Sequence, residues 1–102
     1  MLLEVISAKY LDGYRLFLSF KNGYKGIVDL KSIIQQEKRN IFKPLKERDY
    51  FKNFSIRFNT ICWENEADLA PEFLYGLAKK QEANLVSDSN ESTLVKTDLV
   101  TA

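Results

Sequence analysis

The hydrophobic pattern of the first thirty residues is typical of β-strands. Two dipeptides that favour tight turns, Asp12-Gly13 and Asn22-Gly23, divide this stretch into three segments rich in β-forming residues. The segments are Leu2–Leu11, Tyr14–Phe20 and Tyr24–Asp29. Because each turn joins neighbouring segments directly, the pattern predicts a three-stranded antiparallel meander.

The same turns predict which side chains share a face of the sheet. If each dipeptide is a two-residue loop, Leu18 lies opposite Ile27, and one face carries Leu3, Val5, Leu16, Leu18, Phe20 and Ile27. The other face then carries Ile6, Ala8, Tyr10, Phe17, Tyr24 and Val28. Both faces are apolar in this register, whereas an antiparallel sheet with one solvated face carries polar residues there. We therefore expect a later segment or another subunit to cover the second face.

This second face is the predicted interaction surface. Its candidate residues are Ile6, Tyr10, Phe17, Tyr24 and Val28. Because an uncovered apolar face favours association, the pattern predicts a protein partner or self-association.

Helical signals follow the meander. Asp29–Ile34 is predicted to be a short helix with Asp29 near its N-cap, followed by a polar loop over Gln35–Asn40. A second short helix is predicted over Pro44–Phe51, with the proline in its first turn.

The remaining pattern predicts a second hairpin and a third helix. The segments Phe54–Phe58 and Ile61–Glu64 alternate about Asn59-Thr60, which places Phe58 and Trp63 on a buried face and pairs Arg57 with Cys62 outside. Pro71 suits the first position of a helix whose inward residues are Leu74, Leu77 and Ala78. Together these elements predict an α+β fold.

Composition changes after Gln81, where a polar stretch begins. We therefore predict a single α+β domain over residues 1–81. Residues 82–102 are predicted to form a polar C-terminal tail that is disordered or adds one strand through Leu94, Val95, Leu99 and Val100.

The bulk composition excludes several functional classes. A chain of 102 residues with 45% hydrophobic residues can bury a core as one domain. One cysteine excludes an internal disulfide, and the absence of histidine excludes the common zinc sites and histidine-activated nucleophiles. The N-terminus lacks a signal-peptide pattern and no apolar run is long enough for a membrane helix, so we expect a cytoplasmic protein without cofactor, metal or membrane.

Charge is distributed unevenly along the chain. Twelve Lys and Arg against six Asp and Glu give residues 1–60 a formal charge of +6, whereas three Lys against eight acidic residues give residues 61–102 a charge of −5. A candidate nucleic-acid patch is interleaved with aromatic residues, and its members are Lys43, Lys46, Arg48, Lys52 and Arg57. Basic residues beside rings are typical of single-strand binding, although solvated charges over a buried core explain the same pattern.

Acidic residues cluster at Glu64, Glu66, Asp68 and Glu72. Such carboxylates can bind Mg²⁺ or Ca²⁺, or act as an acid–base pair. Their spacing does not match a calcium loop, and Asp68 and Glu72 are explained by the turn and the helix start. A solvated turn is the favoured interpretation, with a carboxylate-based activity around Glu64, Glu66 and Asp68 as the alternative.

Three motifs resemble a known family when they are taken in order. They are Phe20-Lys21-Asn22-Gly23-x-x-Gly26-x-Val28-Asp29-Leu30, Phe42-x-Pro44-Leu45, and Trp63-x-x-x-x-Asp68-Leu69-x-Pro71-Glu72-x-Leu74-Tyr75. Over about the first eighty residues the chain resembles the small bacterial domain of unknown function 2442. The resemblance implies a compact α+β domain without established activity, often encoded beside a second small protein in the manner of a toxin–antitoxin pair. Some members carry a C-terminal helix-turn-helix domain, which has no counterpart in this sequence, and no functional residues can be transferred.

The sequence therefore favours a non-enzymatic protein-interaction module. The alternative is a nucleic-acid-associated regulatory module that uses the basic region 43–57.

Overall fold

The protein has an α+β fold, as the sequence predicted. The computed structural model describes the backbone of residues 3–91 and the side chains of residues 3–83. Strands β1 (Val5–Asp12), β2 (Arg15–Phe20) and β3 (Lys25–Asp29) form one antiparallel sheet in that order, and β4 (Ser55–Arg57) and β5 (Thr60–Cys62) form a second. The helical elements are α1 (Lys31–Gln36), a 3-10 helix (Asn40–Lys46), α2 (Arg48–Phe51) and α3 (Pro71–Glu91).

The predicted register of β2 and β3 was wrong by one residue. Phe17 pairs with Ile27 and not with Val28, because the loop contains three residues, 21–23. Gly23 has a φ of +94°, whereas Asn22 does not have a positive φ. A two-residue type I′ turn needs positive φ at both central residues, so the chain forms the three-residue loop with glycine in its left-handed position.

The β1–β2 pairing begins as predicted and then shifts. Val5 lies opposite Phe20, but irregularities between Val5 and Ser7 and between Tyr10 and Asp12 each move the register by one residue. The loop that follows is Gly13-Tyr14, one residue later than predicted. Bulges of this kind place an extra residue in one strand, and no pattern in the sequence indicated them.

These shifts give the sheet one buried face and one solvated face. Core residues and the hydrophobic residues packed against them include Val5, Ala8, Tyr10, Leu16, Leu18, Phe20, Tyr24 and Val28. The cross-strand pairs of the other face combine Phe17 and Ile27 with Ser7, Lys9, Arg15, Lys25 and Asp29. The prediction of two apolar faces was therefore wrong, since a one-residue slip exchanges the faces of a strand.

Trp63 lies in the centre of the core, as predicted. Its side chain is fully buried, and its indole Nε1–H donates to the Phe51 carbonyl oxygen at 2.7 Å. The ring packs 5.7 Å from the Phe51 ring, between centroids. A buried indole N–H needs a hydrogen-bond partner, and this bond connects the residue after β5 to the end of α2.

The two predicted short helices occur with different boundaries. Asp29 precedes α1 as expected, and its Oδ1 accepts the Lys31 backbone N–H at 3.0 Å. The predicted helix 44–51 is instead a 3-10 helix that contains Pro44, followed by α2. The break occurs at Glu47, whose backbone is extended, with a ψ of 121°.

Helix α3 begins at Pro71 as predicted but continues to Glu91. The helix therefore includes residues 82–91 of the predicted tail. The sequence contains no glycine or proline after Gly76, so each added residue extends the helix by one hydrogen bond. The predicted strand through Leu94 and Val100 lies outside the described residues.

Helix α3 also closes the free edge of β3. The Gln81 side chain accepts the Asp29 backbone N–H at 2.8 Å and donates to the Asp29 carbonyl oxygen at 3.0 Å. The amide thus occupies the place of a neighbouring strand, which removes unpaired backbone groups from this edge.

Candidate interaction surface

The turn between β4 and β5 contains two residues with left-handed backbone. Phe58 has a φ of 55° and Asn59 a φ of 67°, as in two-residue type I′ turns. The pairing is therefore Arg57 with Thr60 and Ile56 with Ile61. The prediction placed the turn at Asn59-Thr60, which was wrong because both left-handed positions lie one residue earlier.

This turn exposes a large aromatic side chain. Phe58 was predicted to be buried opposite Ile61, but 80% of its surface is exposed. Asn59 tolerates left-handed backbone, whereas a bulky residue such as phenylalanine is an outlier there. Left-handed backbone costs an L-residue about 1–2 kcal/mol, so the turn is unfavourable both in conformation and in exposure.

The surrounding structure holds the turn in place. The Asn59 carbonyl oxygen accepts the Val5 backbone N–H at 2.9 Å, which joins the turn to the start of β1. On the other side, β5 is buried at every position, and the Thr60 hydroxyl donates to the Leu69 carbonyl oxygen. Strained backbone persists where its surroundings fix it in this way.

Two exposed isoleucines lie close to this turn along the backbone, since Ile56 is two residues before Phe58 and Val5 bonds to Asn59. Ile6, which follows Val5, is 56% exposed, and Ile56 is 36% exposed. The Arg57 guanidinium lies 6.0 Å from the centroid of the Phe58 ring. We call Ile6, Ile56, Arg57 and Phe58 the hairpin tip.

Arg57 is held by the core beneath it. Its Nη2 donates to the Trp63 carbonyl oxygen at 3.2 Å and lies 3.2 Å from Cys62 Sγ. The prediction paired Arg57 with Cys62 on an outer face. Cys62 is instead buried, because β5 pairs with β4 on one edge and forms a bridge with Asp68 on the other.

A depression lies at the opposite end of the main sheet. Its volume is about 500 Å³, its exposed surface is mainly apolar, and it is lined by Arg15, Ile27, Asp29, Gln81 and Glu82. Ile27 is 44% exposed on the solvated face. We call this feature the Ile27 depression.

Charges around the Ile27 depression are partly compensated. Arg15 donates to both carboxylate oxygens of Asp12 at 2.9 Å, and this contact lowers the pKa of Asp12. Glu82 accepts the Tyr24 hydroxyl at 2.6 Å. Burial, and then the hydrogen bond to Glu82, raise the pKa of Tyr24 to about 12.

Comparison with known proteins assigns the chain to a family. A family model described as protein of unknown function, DUF2442, matches residues 5–80. The chain belongs to the DUF2442 family. The match covers both sheets and the first half of α3, and it confirms the resemblance seen in the sequence.

The DUF2442 fold also occurs in a solved structure. The crystal structure of "Putative DNA Binding Protein NE0471" from Nitrosomonas europaea matches with a TM-score of 0.66 and 17% sequence identity. The match covers 92% of this chain and 63% of that one, so this chain spans less than two thirds of the Nitrosomonas protein. At this identity the likeness shows the fold alone. No curated protein gives a significant match.

The structure of the DUF2442 domain separates the five predicted interaction residues. Val28 is fully buried, and Tyr10 and Tyr24 pack against the core from the inner face. Phe17 is half-buried on the outer face, and Ile6 alone among the five belongs to the hairpin tip. The shifted register explains the separation. The sequence indicated neither Phe58 nor Ile27 as an exposed residue.

The five basic residues of the candidate nucleic-acid patch are all exposed. Lys43 and Lys46 lie on the 3-10 helix, Arg48 begins α2, Lys52 follows it, and Arg57 ends β4.

Their aromatic neighbours do not form a base-stacking platform. Phe42 and Phe51 are buried, and Tyr50 and Phe54 pack against the core. The basic side chains therefore lie over buried or partly buried rings. Proteins that bind single strands stack bases on exposed rings, and these four rings do not offer such a surface.

The acidic turn has a structural explanation. Asn65 fixes it, since its backbone N–H donates to the Tyr50 hydroxyl at 3.0 Å and its side chain donates to the Ile41 carbonyl oxygen at 2.8 Å. The Asn65 Oδ1 also accepts the Ala67 backbone N–H at 3.1 Å. The sequence did not single out Asn65, although asparagine is common in turns.

The acidic side chains of this turn are exposed to solvent. Glu64, Glu66 and Asp68 are exposed on this turn. Among the described residues, no group of three or more His, Cys, Asp or Glu could hold a metal ion. Within the same part of the chain, no helix is long and apolar enough to cross a membrane.

Proposed function

We propose that this DUF2442 domain is a non-enzymatic protein-interaction module whose hairpin tip contacts the partner. The observation that carries the proposal is Phe58, which is 80% exposed on left-handed backbone. Neither property helps the isolated domain to fold. Burial of a phenylalanine side chain in an interface contributes about 1.5–3 kcal/mol, and exposed aromatic residues with a neighbouring arginine are typical of binding hot spots.

Strain at the turn supports the same proposal. Asparagine or glycine at position 58 would satisfy the turn without the conformational cost of a bulky residue. Strained residues that the surrounding structure enforces occur often at functional sites. Residue 58 is therefore better explained by a contact than by folding.

The family resemblance provides one class of partner. We propose a small protein encoded beside this one, as in a toxin–antitoxin pair. The non-enzymatic part of the proposal is supported by the exposed positions of Glu64, Glu66 and Asp68, because catalytic carboxylates usually lie in a cleft that perturbs them.

Affinity capture from the native host tests the proposal. The tagged full-length chain is compared with Phe58→Asn, which removes the ring and suits the turn, and with Phe73→Gln on α3. Phe73 is 43% exposed and serves as the matched control. We expect one protein to be retained by the wild type and by Phe73→Gln and lost with Phe58→Asn. Equal retention by all three would refute a role for the tip.

A second candidate function is nucleic-acid binding. The observation in its favour is the set of exposed cations from Lys43 to Arg57, and the Nitrosomonas protein of the same fold carries a DNA-binding name. Because Phe42 and Phe51 are buried and Phe58 is the exposed ring beside Arg57, binding would rely mainly on phosphate contacts and would weaken steeply with salt. Acidic residues 64–68 border this surface through Asn65, and their charge would repel phosphates.

Fluorescence anisotropy with labelled single- and double-stranded oligonucleotides tests this candidate. Binding at low salt that the triple variant Lys43→Gln, Lys46→Gln, Arg48→Gln abolishes would support it. The absence of binding at low salt would eliminate it.

A further inference from the structure

We infer that the hairpin tip of one molecule binds the Ile27 depression of a second copy of the same chain. This inference rests on the proposed function, because it uses the same tip. It goes beyond the neighbour-encoded partner by adding a second copy of the chain as a ligand of that tip. The two features are complementary in shape, in polarity and in charge.

The shape and polarity of the depression suit an aromatic ring. A volume of about 500 Å³ exceeds what one phenylalanine side chain needs, and Ile27 offers an exposed apolar contact beside its cross-strand partner Phe17. The backbone N–H and C=O of Asp29 are already bonded to Gln81, so a ring placed against Ile27 would not leave these backbone groups without partners.

The charges of the two surfaces are opposite. Arg57 lies beside Phe58 on the tip, whereas Asp29 and Glu82 line the depression. Arg15 also lines it, but its guanidinium forms a two-point contact with Asp12. A tip-to-tip contact would bring two Arg57 side chains together, and like charges at an interface are unfavourable.

The positions of the two surfaces make the contact intermolecular. The tip is attached at Val5, which pairs with Phe20 at one end of the main sheet, and the depression lies beside the pair Arg15 and Asp29 at the other end. One molecule cannot fill its own depression. Two antiparallel copies that exchange tips form a closed two-fold pair, and copies stacked head-to-tail form a ring or an open chain.

The contact is small, so we expect weak association. One aromatic anchor with a few neighbours buries less area than a standard stable interface of about 1,600 Å². We expect dissociation constants of about 0.1–1 mM, corresponding to roughly −4 to −5.5 kcal/mol. The association will therefore be visible only in concentrated solutions.

Sedimentation velocity of two complementary variants tests the inference. Phe58→Asn lacks the ring but keeps the depression, and Ile27→Lys blocks the depression but keeps the tip. We expect wild type and the control Phe73→Gln to associate as concentration rises to about 1 mM, and each variant alone to remain monomeric. A mixture of the two variants should form a 1:1 dimer and nothing larger, because it has one working contact.

Amide NMR locates the contact in the same mixture. When ¹⁵N-labelled Phe58→Asn receives unlabelled Ile27→Lys, the amides of Ile27 and Gln81 should shift. Cooperative thermal unfolding by circular dichroism shows that both variants are folded.

Two results would overturn the inference. One is a wild type that stays monomeric at about 1 mM. The other is an associating wild type whose two variants fail to complement each other. If one of these results is found but wild type still captures a host protein that Phe58→Asn loses, the proposed function stands and only self-association is refuted. If that capture does not depend on Phe58, the proposed function is refuted as well.

Discussion

The two strands of the β4–β5 hairpin differ completely in their surroundings. Every residue of β5 is buried, and every residue of β4 is exposed. Ile56 and Ile61 are direct partners across the hairpin, yet Ile61 is fully buried and Ile56 is 36% exposed. One strand therefore belongs to the core, and the other carries the exposed Ile56 close to Phe58.

A second contrast separates this hairpin from the β2–β3 hairpin. There, the left-handed position is Gly23 and the loop residues Lys21 and Asn22 are polar. In the β4–β5 hairpin, the left-handed positions are Phe58 and Asn59. The first turn suits folding in water, whereas the second combines strain with an exposed ring. This difference is the reason to assign a binding role to one turn and a structural role to the other.

The largest expected effect comes from truncating the two isoleucines separately. Ile61→Ala should lower the free energy of unfolding by about 2–5 kcal/mol, because it removes buried methyl groups and leaves a cavity. Ile56→Ala should change it by about 0.5 kcal/mol, as for other surface sites. Urea denaturation of both variants measures the difference. Similar losses for the two would mean that β4 is also part of the core.

A substitution in the β2–β3 turn should have an intermediate effect. Gly23→Ala should lower the free energy of unfolding by about 1–2 kcal/mol, since Gly23 has a φ of +94° and an L-residue is strained there. The added Cβ would meet no atom within 4 Å, so the cost is one of backbone conformation. Chemical denaturation measures it, with Lys21→Ala as the control in the same loop. An unchanged stability would contradict the assigned turn.

The matching substitution in the β4–β5 turn should act in the opposite direction. Phe58→Asn should raise the free energy of unfolding by about 1 kcal/mol, because asparagine accepts left-handed backbone more readily than phenylalanine. Thermal and urea denaturation measure the gain. A loss of stability would show that the ring contributes to the fold and would weaken the case for a binding role.

The smallest expected effect concerns the contact between β3 and α3. The pKa of Tyr24 is raised to about 12 by burial and by Glu82, above the usual value of 10. The contact is therefore fully stabilising below pH 10 and loses its contribution as pH rises towards 12. Melting temperatures between pH 9 and 12 should fall more for the wild type than for Tyr24→Phe. Parallel curves would contradict a buried phenol in this contact.

Much of the fold could be predicted because strong local signals agreed with it. Alternation, glycine-containing turns and Pro71 indicated the meander, the second hairpin and the start of α3. The buried position of Trp63 also followed from the pattern.

The register could not be predicted, because it depends on single residues. In the three-residue loop between β2 and β3, Asn22 Oδ1 accepts the Tyr24 backbone N–H at 3.0 Å. Two irregularities between β1 and β2 then shift the pairing of those strands. A shift of one residue exchanges the faces of a strand, which moved Tyr10 and Val28 from the predicted interaction surface to the core side.

The candidate site was hidden for a different reason. Phenylalanine has no preference for left-handed backbone, so nothing local marked Phe58 as a turn residue. The sequence did predict Asn59 as a turn residue, but it indicated Thr60, and not Phe58, as the other residue of the turn. Only the hydrogen bond from Val5 to Asn59 and the burial of β5 determine which side of Asn59 the turn includes.

Affinity capture with Phe58→Asn is the most direct test of a binding role for the hairpin tip. The account predicts that the variant is at least as stable as the wild type and yet loses the protein that wild type and Phe73→Gln retain. Retention of the same protein by Phe58→Asn, at the same yield, would contradict it.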